Sequence, residues 1–268
     1  MQAYVDTIDR ITPDMVRLTL TGGDLADPSR FVMPEATDAY VNIALPPEGA
    51  PYAAPFEPAE VKQTCPRDLW PVRRRYTVRA WDPASCTLTL DFVVHGTGAA
   101  GRWASTARPG DVLVLEGPAG GYRPDPTADW HLLVGDESAL PAIAASLEAV
   151  PEGALAVVRL LCDGPDHEVP LTSPGDLDVV WLHRSGGAED ADLLAEEVRN
   201  LPFPRGRVHA FVHGEADEIR ALRRHLLLDR RVPRADMSCS PYWRRHMDDE
   251  AWRAVKGDFV AAMEAEVA

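Results

Sequence analysis

Apolar and polar positions alternate in short bursts through the first half of the chain. Met15-Val16-Arg17-Leu18-Thr19-Leu20-Thr21 and Ala39-Tyr40-Val41-Asn42-Ile43-Ala44-Leu45 carry this period of two. Arg75 to Trp81, Thr87 to His95 and Val112 to Glu116 follow in the same style. Alternation puts successive side chains on opposite faces of a strand. Short strands cut by Gly and Pro turns predict an antiparallel β-barrel. Pro46 to Pro71 is proline-rich and has no period. It reads as a long loop, either a functional lid or an inert excursion.

After Asp125 the rhythm changes. Trp130 to Val134 is a short apolar strand, followed by Gly135-Asp136-Glu137-Ser138 and a helical stretch from Ala139 to Val150. In that stretch Leu140, Ile143 and Leu147 recur at helical spacing, and Pro141 suits a first helical turn. Leu155 to Leu161, Val179 to His183 and Val208 to His213 are further apolar strands. Glu215 to Leu228 and Asp248 to Glu264 read as helices. Alternating strands and helices imply parallel βαβ units. The predicted organisation is two-domain: an antiparallel β-barrel over residues 1–125, then an α/β parallel-sheet domain over 126–268 with a C-terminal helix.

Composition narrows the function. The 268 residues are 46% hydrophobic and 26% charged, an ordinary balance for a globular chain. The formal charge of -15 comes from 42 acidic against 27 basic residues, which disfavours nucleic acid and anionic membranes as partners. The only lysines are Lys62 and Lys256, so nearly every cation is a guanidinium. Cys65, Cys86, Cys162 and Cys239 form no CxxC pair, and no metal site is expected. There is no signal-peptide pattern and no apolar run of about 20 residues, so a cytoplasmic location is expected, with a monomer as the default. The chain has no Gly-x-Ser-x-Gly elbow, HExxH or P-loop, which argues against serine hydrolases, zinc proteases and P-loop NTPases.

Five places could carry chemistry. Val72-Arg73-Arg74-Arg75-Tyr76-Thr77-Val78-Arg79 joins guanidinium groups suited to a pyrophosphate, a ring that can stack on a flat heterocycle, and a hydroxyl for a ring nitrogen. An edge strand with solvated arginines would look the same. His95-Gly96-Thr97-Gly98-Ala99-Ala100-Gly101-Arg102-Trp103-Ala104 follows a strand and leads into a helix over Arg102 to Ala107. Its small residues let backbone amides approach a phosphate, or else make a plain glycine-rich turn. Gly135 to Pro141 and Phe211 to Glu215 lie at strand-to-helix junctions, where parallel sheets bind ligands. Asp136 and Glu137 there read equally as helix-start acids. Ser240-Pro241-Tyr242-Trp243-Arg244-Arg245 could stack on a ring and hold an anion, or pack a terminal helix.

Taken in order, these pieces resemble the siderophore-interacting protein family, FAD-containing ferric-siderophore reductases related to ferredoxin–NADP reductases. The resemblance runs from Arg10-Ile11-Thr12-Pro13 through Arg74-Arg75-Tyr76-Thr77, Leu90 to Gly96, Arg102-Trp103-Ala104 and Pro109-Gly110-Asp111. It continues through Gly135 to Ile143, Trp181-Leu182-His183-Arg184, Gly214-Glu215 and Tyr242-Trp243-Arg244. It implies that Arg74 faces the FAD phosphates, Tyr76 lies against the isoalloxazine and Thr77 hydrogen-bonds near flavin N5. Val94, His95, Gly96, Thr97, Ala100, Gly101 and Trp103 would hold the pyrophosphate and ribose. Asp136, Glu137 and Ser138 would line the flavin and nicotinamide side, and Tyr242, Trp243 and Arg244 would approach the ring. Tyr76, Thr77 and Glu137 are the candidate catalytic residues.

Two departures from the family pattern stand out. The HGxxGPASxWA loop is one residue shorter here and lacks its Pro and Ser, leaving Gly101 near the missing hydroxyl and Thr97 as a substitute. The glycine two residues after the YWR arginine is His246. The resemblance implies reduction of a ferric siderophore, with NADH, NADPH or ferredoxin as donor. A basic siderophore pocket would draw on Arg73 to Arg75, Arg244 and Arg245, or Arg230, Arg231 and Arg234. Arg184 is a candidate for a 2′-phosphate, or for strand packing. Open alternatives are a flavin reductase serving another acceptor and a non-enzymatic siderophore-binding protein.

Overall fold

A computed structural model describes residues 1–94 and 98–267, and these divide into two compact units, Met1–Gly121 and Tyr122–Ala268. The first is a closed barrel of β1 (Gln2–Thr12), β2 (Met15–Thr21), β3 (Tyr40–Leu45), β4 (Val72–Asp82), β5 (Thr87–Val93) and β6 (Val112–Ala119). The order around it is β1-β2-β5-β4-β3-β6, and every neighbouring pair is antiparallel. The alternation holds in three dimensions. Leu18, Leu20, Val41, Ile43, Leu88, Leu90, Leu113 and Leu115 all point inward and are fully buried. On the outer face Arg17 stands opposite Asp91 and donates to both its carboxylate oxygens, at 2.7 and 2.8 Å. The opening strand β1 was not anticipated, because bulges and polar residues leave only Ala3, Val5 and Thr12 fully buried along it.

The proline-rich stretch is not structureless. It contains the helix α1 (Pro58–Thr64) and a single 3-10 turn at Arg67–Leu69. Tyr52 donates its hydroxyl to the Leu69 carbonyl (2.7 Å), Trp70 donates Nε1 to the Cys65 carbonyl (3.1 Å), and Lys62 lies over the Trp70 ring. Proline hid this local packing from the periodicity. After β5 comes α2 (Ala99–Thr106), which begins earlier than the sequence suggested because Ala99, Ala100 and Gly101 join its first turn.

The second unit is a five-stranded parallel sheet in the order β11-β10-β7-β8-β9. Its strands are β7 (Trp130–Asp136), β8 (Leu155–Cys162), β9 (Asp176–His183), β10 (Val208–Glu215) and β11 (Met237–Trp243). The helices are α3 (Leu140–Leu147), α4 (Leu193–Asn200), α5 (Ala216–Arg224), which runs into a π-type turn over His225–Asp229, and α6 (Asp249–Ala265). Strand β7 is buried along its whole length, as expected of a central parallel strand covered on both faces. Sequence reading missed α4 and β11. Pro241 disguises β11 as a turn, yet β11 is an edge strand, where proline is tolerated. Among the described residues no helix is long and apolar enough to cross a membrane.

The sheet reverses direction at β7: the chain builds outward through β8 and β9, then returns to β7's other side with β10. The carboxyl ends of β7 and β10 therefore flank a topological switch point, where open α/β sheets bind their ligands.

The strands of this sheet carry four histidines, His131, His183, His209 and His213. His131 on β7 pairs in register with His209 on β10, and neither ring nitrogen of His131 has a hydrogen-bond partner among the described residues. Burial, helped by His209, lowers the His131 pKa to about 4, and burial together with Lys256 lowers that of His213 to about 3. The unfolded chain protonates near 6.5. Between that value and the folded pKa the unfolded state binds the extra proton, so stability falls as pH drops from about 6.5 toward 4. Replacing His131 with Leu removes two unpaired buried polar atoms. The expected outcome is a gain of about 1–2 kcal/mol near pH 7 and a shallower acid limb in thermal melts. An unchanged acid limb would refute the assignment.

Candidate functional site

Strand β4 carries the basic-aromatic motif of the first unit. The Tyr76 ring stacks on Phe92 of β5 with centroids 4.1 Å apart, and Phe92 meets Trp103 of α2 at 6.0 Å. Tyr76 is only half-buried, so it forms a rigid aromatic surface backed by the barrel core. Thr77 follows it, and Arg74 donates Nη1 to the Arg73 carbonyl (2.9 Å). Arg73 itself pairs with Glu116, and Arg75 lies over the Tyr40 ring at 5.1 Å. Val94 donates its N–H to the Asp14 carbonyl (2.6 Å). The candidates His95, Gly96 and Thr97 lie outside the described residues.

Helix α2 opens on Gly98 with no side-chain cap, and its first turn holds Ala99 and Ala100, with only a methyl group each, and Gly101. Amides at the start of a helix attract anions. Trp103 ties this helix to the Tyr76 platform through Phe92. A flat ring joined to a pyrophosphate needs an aromatic surface, a guanidinium and an open set of amides. These residues fit FAD on that ground.

In the second unit the site gathers around Asp136, the last residue of β7. Its carboxylate is 1% exposed. Oδ1 accepts from the Ser138 N–H (2.9 Å) and hydroxyl, and Oδ2 accepts from Trp243 Nε1 (2.7 Å). Two glycines make room. A Cβ at Gly214, where φ is +150°, would stand 2.7 Å from Asp136 Oδ2, and one at Gly135 would stand 2.5 Å from the His213 carbonyl. The structure thus joins Asp136, Ser138 and Trp243, three of the sequence candidates, at the carboxyl ends of β7, β10 and β11.

Glu137, Tyr242 and Arg244, also candidates, have partners of their own. Glu137 makes a two-pronged ion pair with Arg184, which also donates to Asp163 Oδ1 (2.9 Å). Burial raises the Glu137 pKa, with the Arg184 guanidinium pulling against it. Tyr242 meets His213 edge-on at 5.0 Å, and its carbonyl accepts from Trp252 Nε1 of α6 (3.0 Å). Arg244 lies over Phe259 of α6 at 5.0 Å and donates to Asp217 at 3.3 Å. Of the other arginines considered for an anionic substrate, Arg230 packs on Phe203 and donates to the carbonyls of Arg199 and Leu201, and Arg234 donates to the Val267 carbonyl.

Sequence reading missed Glu218 and the role of Arg245 as its partner. Glu215 caps α5 by accepting from the N–H groups of Asp217 (2.8 Å) and Glu218 (3.1 Å), and it also accepts the Arg245 N–H (3.1 Å). Glu218, fully buried, pairs with the Arg245 guanidinium. Burial, with Asp136 and Glu215 nearby, pushes Glu218 up to about 8 despite Arg245. Only its position three residues into a capped helix hinted at this pairing. His246, standing where the family pattern has glycine, takes a left-handed φ of 61°. Glycine relieves Cβ strain in that conformation.

Residues 4–122 match the siderophore-interacting FAD-binding domain, and residues 128–246 match the siderophore-interacting protein domain. An uncharacterized protein of Mycobacterium tuberculosis is 37% identical, over 94% of this chain and 93% of its own. The ferric vibriobactin reductase of Vibrio cholerae is 34% identical, over 90% of this chain and 88% of its own. The crystal structure of a siderophore utilization protein from T. fusca superposes with a TM-score of 0.80 at 36% identity, covering 93% of this chain and 94% of that one.

Gly214→Ala tests the geometry around Asp136. The new Cβ would displace the carboxylate from Trp243 Nε1, leaving buried groups unpaired at a cost of about 1–3 kcal/mol. Chemical denaturation should show that loss, together with a change in tryptophan emission; a melt and spectrum matching the wild type would refute the arrangement.

Proposed function

Since the chain belongs to the siderophore-interacting protein family, we propose that it is an FAD-dependent ferric-siderophore reductase drawing electrons from a reduced nicotinamide nucleotide. Iron(III) is its substrate, held by the siderophore. Reduction to iron(II) weakens binding by hard oxygen ligands, and the metal leaves. Bound FAD supplies the conversion of a two-electron hydride donor into the single electrons that iron accepts.

The observation that carries this reading is the Tyr76 platform, braced by Phe92 and linked through Trp103 to the uncapped start of α2. In this assignment Tyr76 covers the isoalloxazine and Thr77 offers its hydroxyl to a ring nitrogen. Arg74 and the amides of Ala99 to Gly101 neutralise the pyrophosphate. Gly101 stands where the family has a hydroxyl, so the backbone carries more of the phosphate contact here. The carboxyl ends of β7 and β10 take the nicotinamide nucleotide, and Trp243, fixed by Asp136, presents an aromatic edge there. Glu137 lines that edge as the partner of Arg184. The protein contributes orientation and electrostatics, and no side chain has to transfer a proton to iron.

Purified protein incubated with FAD and then desalted should retain the visible flavin absorption bands. Tyr76→Ala should weaken FAD binding roughly 2- to 10-fold, the worth of one aromatic stack, and raise flavin fluorescence by removing a stacked ring. A wild-type protein that stays colourless after reconstitution would overturn the proposal.

A further inference from the structure

The parallel sheet has a nucleotide-binding topology, with β7 as its first strand and β8 as its second. In such sheets an acidic residue downstream of the first strand-to-helix turn accepts a hydrogen bond from the adenosine ribose 2′-hydroxyl. A nearby arginine instead accommodates a 2′-phosphate. Here Asp163 directly follows the last residue of β8, and its side chain is 57% exposed. Its surroundings decide between the two nucleotides.

Arg184 is the guanidinium at this edge of the sheet, directly after β9. Its Nη1 donates to Asp163 Oδ1 at 2.9 Å, and Nη1 and Nη2 together grip both oxygens of Glu137. Its side chain is 17% exposed. One positive charge thus faces two carboxylates, and the trio is net negative. Downstream, Asp166 sits in the loop after β8, and Glu168 accepts a hydrogen bond from His183 Nε2 at 2.8 Å. A phosphate brought here meets Asp163, and the adjacent Arg184 is already shared between two carboxylates, whereas a hydroxyl can donate to Asp163, since each oxygen has more than one acceptor site.

We propose that Asp163, with Arg184 locked to Glu137, makes this chain selective for a nicotinamide nucleotide with a free ribose 2′-hydroxyl, NADH, over its 2′-phosphorylated counterpart. The inference rests on the nicotinamide-donor reading above and names the form of the donor. Asp163 acts through recognition of the adenosine ribose, remote from the transferred hydride. Its effect therefore belongs to binding of the nucleotide, with little change in the rate of hydride transfer at saturation.

Isothermal titration of the FAD-reconstituted protein with ADP-ribose and with 2′-phospho-ADP-ribose tests this without any turnover. ADP-ribose is expected to bind at least about tenfold more tightly, because a like charge set against Asp163 is costly. Asp163→Asn, at an exposed position that leaves the sheet intact, should shrink that ratio by weakening ADP-ribose and strengthening the phosphorylated probe. Flavin bleaching with NADH and NADPH should follow the same order, with the difference in KM. Equal or tighter binding of 2′-phospho-ADP-ribose, or a ratio unmoved in Asp163→Asn, overturns the selectivity while leaving flavin binding and the reductase assignment standing. Binding of neither probe by a protein that retains FAD overturns the selectivity and the nicotinamide-donor reading together.

Discussion

A buried carboxylate at the end of the central strand organises the second unit's site. The Asp136 carboxylate accepts from the Ser138 N–H and hydroxyl and from the Trp243 indole N–H. Such a group is costly to bury unless every acceptor is met. Meeting them dictates much of the local sequence. Residue 214 must be glycine for the carboxylate to fit, Ser138 must open the turn into α3, and β11 must run parallel to β10 to deliver Trp243. Arg245, held by Glu215 and Glu218, anchors the chain just beyond Trp243. Helix α6 braces the same segment through Trp252 and Phe259.

The first unit solves a different problem. It presents a planar aromatic surface and phosphate-seeking groups from a closed barrel, whose strands cannot shift register without turning leucines outward. Tyr76 is stiff because Phe92 is fully buried beneath it. The guanidinium groups around it differ in their engagement: Arg73 is bound to Glu116 and Arg75 lies over Tyr40.

Much of this was legible in the residues. Period-two alternation announced five of the barrel strands, and apolar strands with helical spacing between them announced the parallel sheet. The exceptions have physical causes. Strand β1 is half polar and bulged, β11 contains a proline allowed only by its edge position, and α4 follows directly on the acidic turn Ala188–Ala191 and Asp192, which obscures its start. At the site, Asp136, Ser138 and Trp243 were named from motifs, and the structure brings them together. The pairings of Glu137 with Arg184 and of Glu218 with Arg245 were not legible, since each joins residues distant in sequence through topology alone. Asp163 carried no motif and gained meaning only from its place at the end of β8. The glycine position of the family pattern filled by His246 became intelligible as a left-handed turn.

Electron delivery to chelated iron is the central claim, and a single-turnover experiment reaches it directly. Anaerobically photoreduced holoprotein, mixed with excess ferric siderophore and a ferrous-specific chelator, should regain its oxidised flavin spectrum. About two ferrous ions should be trapped per flavin, since the cofactor passes on both electrons singly. A reduced flavin that persists beside intact ferric siderophore, yet reoxidises with another acceptor, would contradict the assignment.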